Sequence, residues 1–343
     1  MITFNRALGL GALLSAATIL AGAPASAQSP EAFFKDKTVK IMVGHSPGGS
    51  YDFYARLAAD MLKVHLPGVK AVIVENKPGG GGLIATSFFY AQSPKDGTAL
   101  GVLPETIANT QLLEPEVGKW KVEEMRYIGS FSSVNTAFVR RKNSPSKTVE
   151  DMKRQETIVG CTGTAAQSYQ YPALLKVLGN YKFKMICGYP GAAEYSLALE
   201  RGEIDLVSSA WNSWRVTHKK ELDNGDLVAV IQTGLKRNRE LQNVPLMQEL
   251  VDDADAKKVI EFASAGAMIG RALVAPPGLP PEMVDYLRSV FDKMVADPAM
   301  QELAAKRGLE LDPASGKVVQ GYADEIVKTP PDVVKKAAVA FKG

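Results

Sequence analysis

The sequence predicts an α/β fold built from parallel, doubly wound sheets. Short β-rich runs alternate with helical patterns along most of the chain, which is the arrangement that produces parallel strands with crossover helices. The chain has 343 residues, of which 46% are apolar and 22% charged. This length and composition favour two globular domains of about 150 residues each.

The first βα units are predicted between residues 39 and 103. The pattern gives a strand at residues 39–44 and a helix at 51–66 with apolar residues at helical spacing. A second strand at residues 71–75 precedes a glycine-rich turn and a helix through Phe88, and residues 98–103 form a third strand.

A second unit is expected after the strand-like stretch at residues 127–139. Its strands are predicted at residues 157–161, 182–187 and 204–208, and the chain returns through residues 227–232 and 273–275. The last third is helical, with a helix opened by Pro280-Pro281 and a break at Asp297-Pro298.

The N-terminus has the pattern of a secretory signal peptide at residues 1–27. Arg6 supplies the positive charge, residues 7–23 are apolar and small, and Ala25-Ser26-Ala27 forms an A-x-A cleavage pattern. We therefore expect a mature chain beginning at Gln28 that is exported to the periplasm. No later stretch approaches the roughly 20 apolar residues that span a bilayer.

Composition argues against nucleic-acid binding and against the common hydrolytic sites. The 40 Lys and Arg residues nearly balance 37 Asp and Glu residues, and they are scattered rather than clustered on one face. The three histidines, His45, His65 and His218, form no H-x-x-x-H pair, and no G-x-S-x-G motif is present. We expect neither catalysis nor a cofactor or metal.

Cys161 and Cys187 would face an oxidising compartment after export, so a disulfide has to be considered. Each cysteine ends a predicted strand. Because a bridge between neighbouring parallel strands strains the preferred torsion, the geometry favours two buried thiols over a disulfide.

Three strand-loop-helix junctions, at Ser46, Thr162 and Tyr189, have the properties of an anion site. Each presents free backbone N–H groups at a helix start, where the helix dipole favours negative charge. All three follow the carboxyl ends of strands, where ligands of open α/β sheets bind. The alternative for any single loop is that its glycines serve only a tight turn.

Several motifs, in this order and spacing, make the chain similar to the solute-binding receptors of tripartite tricarboxylate transporters, the Bug-type periplasmic proteins. The resemblance covers essentially the whole mature chain. The matching segments are Gly48-Gly49-Ser50 with Asp52 and Arg56, Glu75-Asn76-Lys77-Pro78-Gly79 with Gly81-Gly82, Pro94-Lys95-Asp96-Gly97-Thr98, Tyr189 with Gly191, Leu199-Glu200-Arg201-Gly202-Glu203-Ile204-Asp205, Ala275-Pro276-Pro277-Gly278 and Asp297-Pro298.

This resemblance implies a type II periplasmic-binding-protein fold, in which two doubly wound α/β lobes close on a ligand in the cleft between them. Lobe 1 would comprise residues 28–131 plus 236–343, and lobe 2 residues 132–235. The family holds a carboxylate between a P-G-G loop and a G-x-G-S loop. Carried over, the first loop maps onto Ser46, Gly48, Gly49, Ser50 and Tyr51.

The second-lobe loops depart from the family pattern. Gly163-Thr164-Ala165-Ala166 stands where G-x-G-S is usual, so Thr162, Thr164 or Ser168 would have to replace the missing serine hydroxyl. Ala165 and Ala166 still donate backbone N–H groups. Tyr189-Pro190-Gly191-Ala192 carries proline where lysine is common, which removes a cation and leaves Tyr189, Gly191 and Ala192 as candidate contacts.

One segment and one further residue offer candidate ligand contacts that have structural alternatives. Trp211, Asn212 and Trp214 follow a predicted strand, and the tryptophans either wall the pocket or belong to the core. Asn109 either contacts the ligand or caps the next helix.

The resemblance implies a monomeric receptor that captures a small carboxylate by lobe closure and delivers it to membrane permease subunits. The pattern leaves the acid unidentified, although Tyr51, Tyr189 and the tryptophans favour a partly apolar or aromatic one. The alternative is a secreted dinucleotide-binding oxidoreductase, because Gly80, Gly82 and Ala85 fit G-x-G-x-x-A with Glu105 about twenty residues later.

Overall fold

The computed structural model describes residues 1–3 and 29–342. Nearly all of the predicted signal peptide lies outside these residues, so it stays a prediction. Among the described residues, no helix combines the length and the apolar character that crossing a membrane requires.

The described part of the chain alternates strands and helices. The strands are β1 (Thr38–Val43), β2 (Ala71–Asn76), β3 (Ala99–Val102), β4 (Arg126–Ser130), β5 (Thr136–Arg141), β6 (Thr157–Cys161), β7 (Phe183–Cys187), β8 (Leu206–Ala210), β9 (Leu227–Thr233), β10 (Ala272–Ala275) and β11 (Ala314–Ser315). The helices are α1 (Pro30–Phe33), α2 (Ser50–His65), α3 (Leu83–Gln92), α4 (Ile107–Leu113), α5 (Val149–Arg154), α6 (Gln167–Leu178), α7 (Ala192–Arg201), α8 (Trp211–Thr217), α9 (Lys219–Asp223), α10 (Ala254–Ser264), α11 (Pro281–Ala296), α12 (Pro298–Lys306), α13 (Gly316–Val327) and α14 (Pro331–Lys342). Short 3₁₀ turns lie at Gly80–Gly82, Met247–Leu250 and Ala265–Met268.

The strands form two sheets, which we call the first and second lobes together with the helices packed on them. The first sheet has the order β11-β4-β10-β3-β1-β2 and the second β7-β6-β8-β5-β9. The α/β class is confirmed, and the strands joined by crossover helices are parallel: β1 with β2 and β3, and β6 with β7 and β8. The returning strands β5, β9 and β10 pair antiparallel with their neighbours.

The strand-like stretch at residues 127–139 forms two strands in different sheets, and the break between them lies where the family resemblance placed the boundary between the lobes, at residues 131 and 132. β4 ends at Ser130 in the first sheet and β5 begins at Thr136 in the second, so residues 131–135 cross between them. This crossing is hydrogen-bonded to the segment before β10, because Phe131 N–H donates to the Arg271 carbonyl at 3.1 Å and Arg271 N–H to Ser132 at 2.9 Å. Arg271 therefore lies where the lobes meet.

The apolar face of α2 fixes the position of its N-terminus. Tyr54, Leu57, Ala58 and Met61 recur at helical spacing and are buried in the first-lobe core. Burial of a leucine-sized side chain stabilises a fold by about 1.5–3 kcal/mol. Several such side chains hold α2 against the sheet, so that its first turn faces the second lobe.

The structure contains a disulfide between Cys161 and Cys187, so the expectation of two buried thiols was wrong. The cysteines are in register at the ends of the paired strands β6 and β7, with Cα atoms 4.4 Å apart. That separation is within the range for a disulfide. The bridge lies directly before Thr162 and Gly188, so it ties together two of the predicted ligand loops.

Candidate ligand-binding cleft

Three helices from the two lobes begin at one small cavity. α2 of the first lobe and α6 and α7 of the second each place first-turn residues on its wall. The cavity has a volume of about 20 Å³, enough for about one water molecule. It is lined by His45, Ser46, Gly49, Ser50, Tyr51, Asp52, Thr162, Ala166, Gln167, Ser168, Ala192, Tyr195, Ser209, Ala210 and Arg271.

The backbone at these helix starts favours an anion. First-turn N–H groups have no acceptor within their own helix, and each helix carries a partial positive charge at its N-terminus. Helix α2 has 16 residues, α6 has 12 and α7 has 10. Their dipoles converge from both sides of the cleft, so a negative group placed there would be stabilised by both lobes.

Asp52 holds the first loop in shape. Its buried carboxylate accepts from Arg56 Nε at 2.9 Å, from Asn76 Nδ2 at 3.1 Å and from the Gly48 N–H at 3.2 Å. The Gly48 amide, predicted to bind a ligand, is therefore engaged within its own loop. Gly48 has φ of 89°, a left-handed conformation that glycine adopts without the steric cost of a Cβ.

A buried ion pair between Arg271 and Glu105 lies beside the cavity. Arg271 Nη1 donates to Glu105 Oε2 at 2.7 Å, and both side chains are almost completely buried. Arg271 Nε donates to Ser50 Oγ at 2.7 Å, whereas Nη2 is buried without a hydrogen-bond partner. The neighbouring Glu105, together with two tyrosines, raises the pKa of Arg271 against the opposing effect of burial.

Glu105 is held from both lobes. The Tyr51 hydroxyl donates to Oε2 at 2.6 Å, and the Gln167 amide, oriented with Nε2 toward Glu105, donates to Oε1 at 2.5 Å. Burial and the adjacent Glu105 raise the pKa of Tyr51 well above its usual value. The phenol is therefore protonated and acts as a donor.

His45 is neutral in this environment. Its ring stacks on Tyr51 with centroids 4.7 Å apart. Burial, reinforced by the charge of Arg271, lowers the pKa of His45 to about 4. The imidazole therefore contributes no positive charge to the cavity at neutral pH.

The lobes are joined directly across the cleft. Ser46 Oγ donates to Glu194 Oε2 and Ser50 Oγ to Asn212 Oδ1, each at 2.9 Å. The Thr106 hydroxyl donates to the Ala165 carbonyl. The structure is thus a closed form in which the two first-loop serines are occupied by partners in the second lobe.

The glycine turn of the first lobe packs against the second-lobe loop. A Cβ added to Gly163 would lie 2.7 Å from Gly81 N, and one added to Gly81 would lie 2.9 Å from the Gly163 carbonyl oxygen. The G-x-G-x-x-A pattern that suggested a dinucleotide therefore forms a lobe-packing turn. The second lobe covers it in this conformation and leaves no space for a pyrophosphate.

The predicted site residues fall into two groups. Those that line the cavity are Ser46, Gly49, Ser50, Tyr51, Thr162, Ala166, Ser168 and Ala192. Those that are not part of its lining are Gly48, Asn109, Thr164, Ala165, Tyr189, Gly191, Trp211 and Asn212.

Besides Gly48, Ala165 and Asn212, three more residues of the second group have structural partners. Asn109 is buried and its Nδ2 donates to the Phe262 carbonyl at 2.9 Å, so it joins α4 to α10. Trp211 packs in the second-lobe core and its Nε1 donates to Glu240 at 2.7 Å. Tyr189 lies edge-on to Tyr195, which itself reaches the cavity wall. Ligand contact by these residues stays a prediction.

The cavity also contains residues that the sequence reasoning missed. They are His45, Asp52, Gln167, Tyr195, Ser209, Ala210 and Arg271. Gln167 and Asp52 adjoin predicted positions in first helical turns and could have been found from that spacing. Arg271 was harder to find, because the glycine turn before it, at Gly270, leads into strand β10 rather than into a helix start. Proline at position 190 removes the cation expected from the second-lobe loop, but Arg271 places a positive charge on the cavity wall.

A sequence profile for the tripartite tricarboxylate transporter family receptor matches residues 54–339. The chain belongs to this family. A curated relative from Cupriavidus necator, the UPF0065 protein in the gbd 5' region, is 26% identical over 337 residues, covering 96% of this chain and 95% of the relative.

Solved structures share the receptor's two-lobed periplasmic-binding-protein fold. The periplasmic binding protein BugD has a TM-score of 0.70 at 24% identity, covering 89% of this chain and 99% of BugD. R. palustris Rpa4515, solved with adipate, has a TM-score of 0.68 at 20% identity, covering 88% and 97%. MatC of Rhodopseudomonas palustris, solved with bound malate, has a TM-score of 0.67 at 19% identity, covering 87% and 99%.

Proposed function

We propose that this receptor captures a small organic carboxylate between its lobes in the periplasm and delivers it to membrane permease subunits. One observation carries the proposal: the N-termini of α2, α6 and α7 converge from both lobes on one buried cavity. Such termini bind anions through backbone amides. The adipate and malate bound to two proteins of the same fold support a carboxylate as the anion.

Capture would proceed by closure. A cavity of about 20 Å³ is too small for an organic acid, so the ligand would enter an open form and the lobes would close around it. A ligand that contacts both lobes binds the closed form more tightly and shifts the population toward it. Membership of the transporter family and the predicted signal peptide support periplasmic delivery to a permease.

The first experiment is a thermal-shift panel of mono-, di- and tricarboxylates, aromatic acids and amino acids, with the matching amides and NAD as comparators. A ligand present at about 100 times its dissociation constant stabilises the folded state by about 2.7 kcal/mol. We expect at least one acid, but not its amide, to raise the melting temperature. A shift with NAD and none with any acid would favour the oxidoreductase alternative.

A variant can locate binding in the cleft. A Cβ at Gly49 would already approach the Ala192 Cβ to 3.3 Å, so the bulkier Gly49→Val should obstruct closure and abolish acid binding while each lobe stays folded. Gly321→Val is the matched control, because a Cβ there meets nothing within 4 Å. Undiminished affinity in Gly49→Val would remove the first loop from the site.

A further inference from the structure

We propose that Arg271 anchors the ligand by binding a carboxylate side-on through Nε and Nη2, and that the ligand displaces the Ser50 hydroxyl from this edge. This inference rests on the proposed function and names the side chain that selects the acid. Arg271 would supply a positive charge to the site. The second-lobe loop lacks this charge because Pro190 stands where the family commonly has lysine.

The hydrogen bonding of Arg271 is incomplete. The side chain is fully buried, Nη1 is paired with Glu105 and Nε with Ser50, yet Nη2 has no acceptor. A buried donor without a partner is costly, and such groups are rare in folded proteins. Since Arg271 lines the cavity, an acceptor that enters the cleft can reach it.

The unsatisfied donor lies on the edge of the guanidinium that suits a carboxylate. The N–H bonds of Nε and Nη2 run parallel on one side of the group, and the two oxygens of a carboxylate accept from them bidentately. In this structure the Ser50 hydroxyl occupies one of these positions, 2.7 Å from Nε. It stands where one carboxylate oxygen would bind.

The guanidinium is fixed in place by contacts within the protein. Glu105 holds Nη1, and the guanidinium carbon lies 4.0 Å from the centroid of the Tyr51 ring. The Arg271 backbone is tied to the crossing between the lobes through Phe131 and Ser132. A preorganised side chain loses little conformational freedom when it binds.

The charges around Arg271 explain why an acid is preferred to an amide. Glu105 already balances Arg271, so an incoming carboxylate adds one negative charge, which the helix N-termini stabilise. A primary amide presents one oxygen and one NH₂ group to this edge. Its NH₂ group would face the guanidinium donors and leave one of them unsatisfied.

The main test is the double variant Arg271→Gln/Glu105→Gln, because it removes the guanidinium without leaving Glu105 as a lone buried charge. With the best acid of the panel, calorimetry should show affinity at least about 100-fold weaker than wild type. The preference for that acid over its amide should also largely disappear. Arg288→Gln is the control, since Arg288 bonds the Tyr127 carbonyl away from the cavity. Affinity within threefold of wild type in a folded double variant would overturn the inference.

A second variant tests the displacement itself and leaves the ion pair intact. Ser50→Ala removes the hydroxyl that competes for Nε, so we expect acid affinity to rise by about threefold. A loss of affinity would overturn the proposed displacement and make the hydroxyl a ligand contact instead. If wild type binds no acid at all, the proposed function itself fails, an outcome distinct from acid binding that survives without Arg271.

Discussion

The Ser46 hydroxyl donates a 2.9 Å hydrogen bond across the cleft to Glu194 Oε2. Glu194 lies in the first turn of α7, where a negative charge interacts favourably with the helix dipole. The receptor therefore carries a carboxylate of its own at one of the three helix N-termini. This carboxylate helps to hold the lobes together through Ser46, and it would repel the anionic ligand that we propose.

Replacing Glu194 by Gln should strengthen acid binding about threefold. The substitution removes the negative charge next to Ser46, which lines the cavity, whereas the glutamine oxygen can still accept from Ser46. The measurement is calorimetric affinity at low salt, where electrostatic effects are greatest. Glu221→Gln, on the surface of the second lobe, is the charge-matched control and should leave affinity unchanged. Weaker binding in Glu194→Gln would mean that its charge supports the ligand.

Gly163→Ala should impair closure without unfolding either lobe. The new Cβ would lie 2.5 Å from the Gly80 carbonyl carbon and 2.7 Å from Gly81 N, both backbone atoms of the opposite lobe. Because backbone cannot move aside as a side chain can, we expect affinity to fall at least about tenfold. Small-angle scattering should show the lobes remaining apart when the acid is added.

Gly321→Ala is the matched substitution for this experiment, because its Cβ meets no atom within 4 Å. It lies inside α13, where alanine is favoured over glycine by up to about 1 kcal/mol. It should therefore leave affinity unchanged and stability equal or higher. Normal closure in Gly163→Ala would show that the lobes meet differently from the arrangement described here.

The local sequence pattern was sufficient to predict the strands and helices that form the cavity wall. β6 was predicted at its observed bounds, Thr157–Cys161, and the helix predicted at residues 51–66 is α2, Ser50–His65. These elements are marked by apolar periodicity and by glycine loops at their ends, which are short-range signals. The convergence of helix starts followed from the rule that ligands bind at the carboxyl ends of strands.

Long-range pairing was not predictable in the same way. Arg271 contacts Ser50 and Glu105, which lie 221 and 166 residues earlier in the chain, and one sequence contains no signal for such a pair. Residues 127–139 read as one strand-like stretch because both β4 and β5 are β-rich, and only the family resemblance placed a lobe boundary within it, at residues 131 and 132. The disulfide depends on the register of β6 with β7, which periodicity alone does not fix.

Removing the disulfide should destabilise the second lobe and weaken binding. Its cysteines are separated by 26 residues, and a crosslink of this span stabilises by about 3 kcal/mol through the entropy of the unfolded chain. We expect the Cys161→Ala/Cys187→Ser variant to lose about this amount in urea denaturation. Acid affinity should also fall, because the bridge joins the loops that begin at Thr162 and Gly188.

Reduction provides the control for this prediction. Dithiothreitol should lower the stability of wild type toward that of the double variant and leave the double variant itself unchanged. Equal stability of wild type and variant under oxidising conditions would contradict a stabilising role for the bridge.

His45 should make the stability of the receptor depend on pH below neutrality. Burial lowers the pKa of His45 to about 4, whereas in the unfolded chain it is about 6.5. Between these values the unfolded state binds the extra proton, so stability is complete above about pH 6.5 and falls as the pH decreases toward 4. The full difference between these two pKa values corresponds to about 3 kcal/mol in the free energy of unfolding.

The variant His45→Phe tests this pH dependence, because it keeps a ring against Tyr51 but cannot titrate. Urea denaturation at pH 7, 5.5 and 4.5 should show a smaller loss of stability in the variant than in wild type. If both proteins lose stability equally over this range, the responsible proton binds to another group.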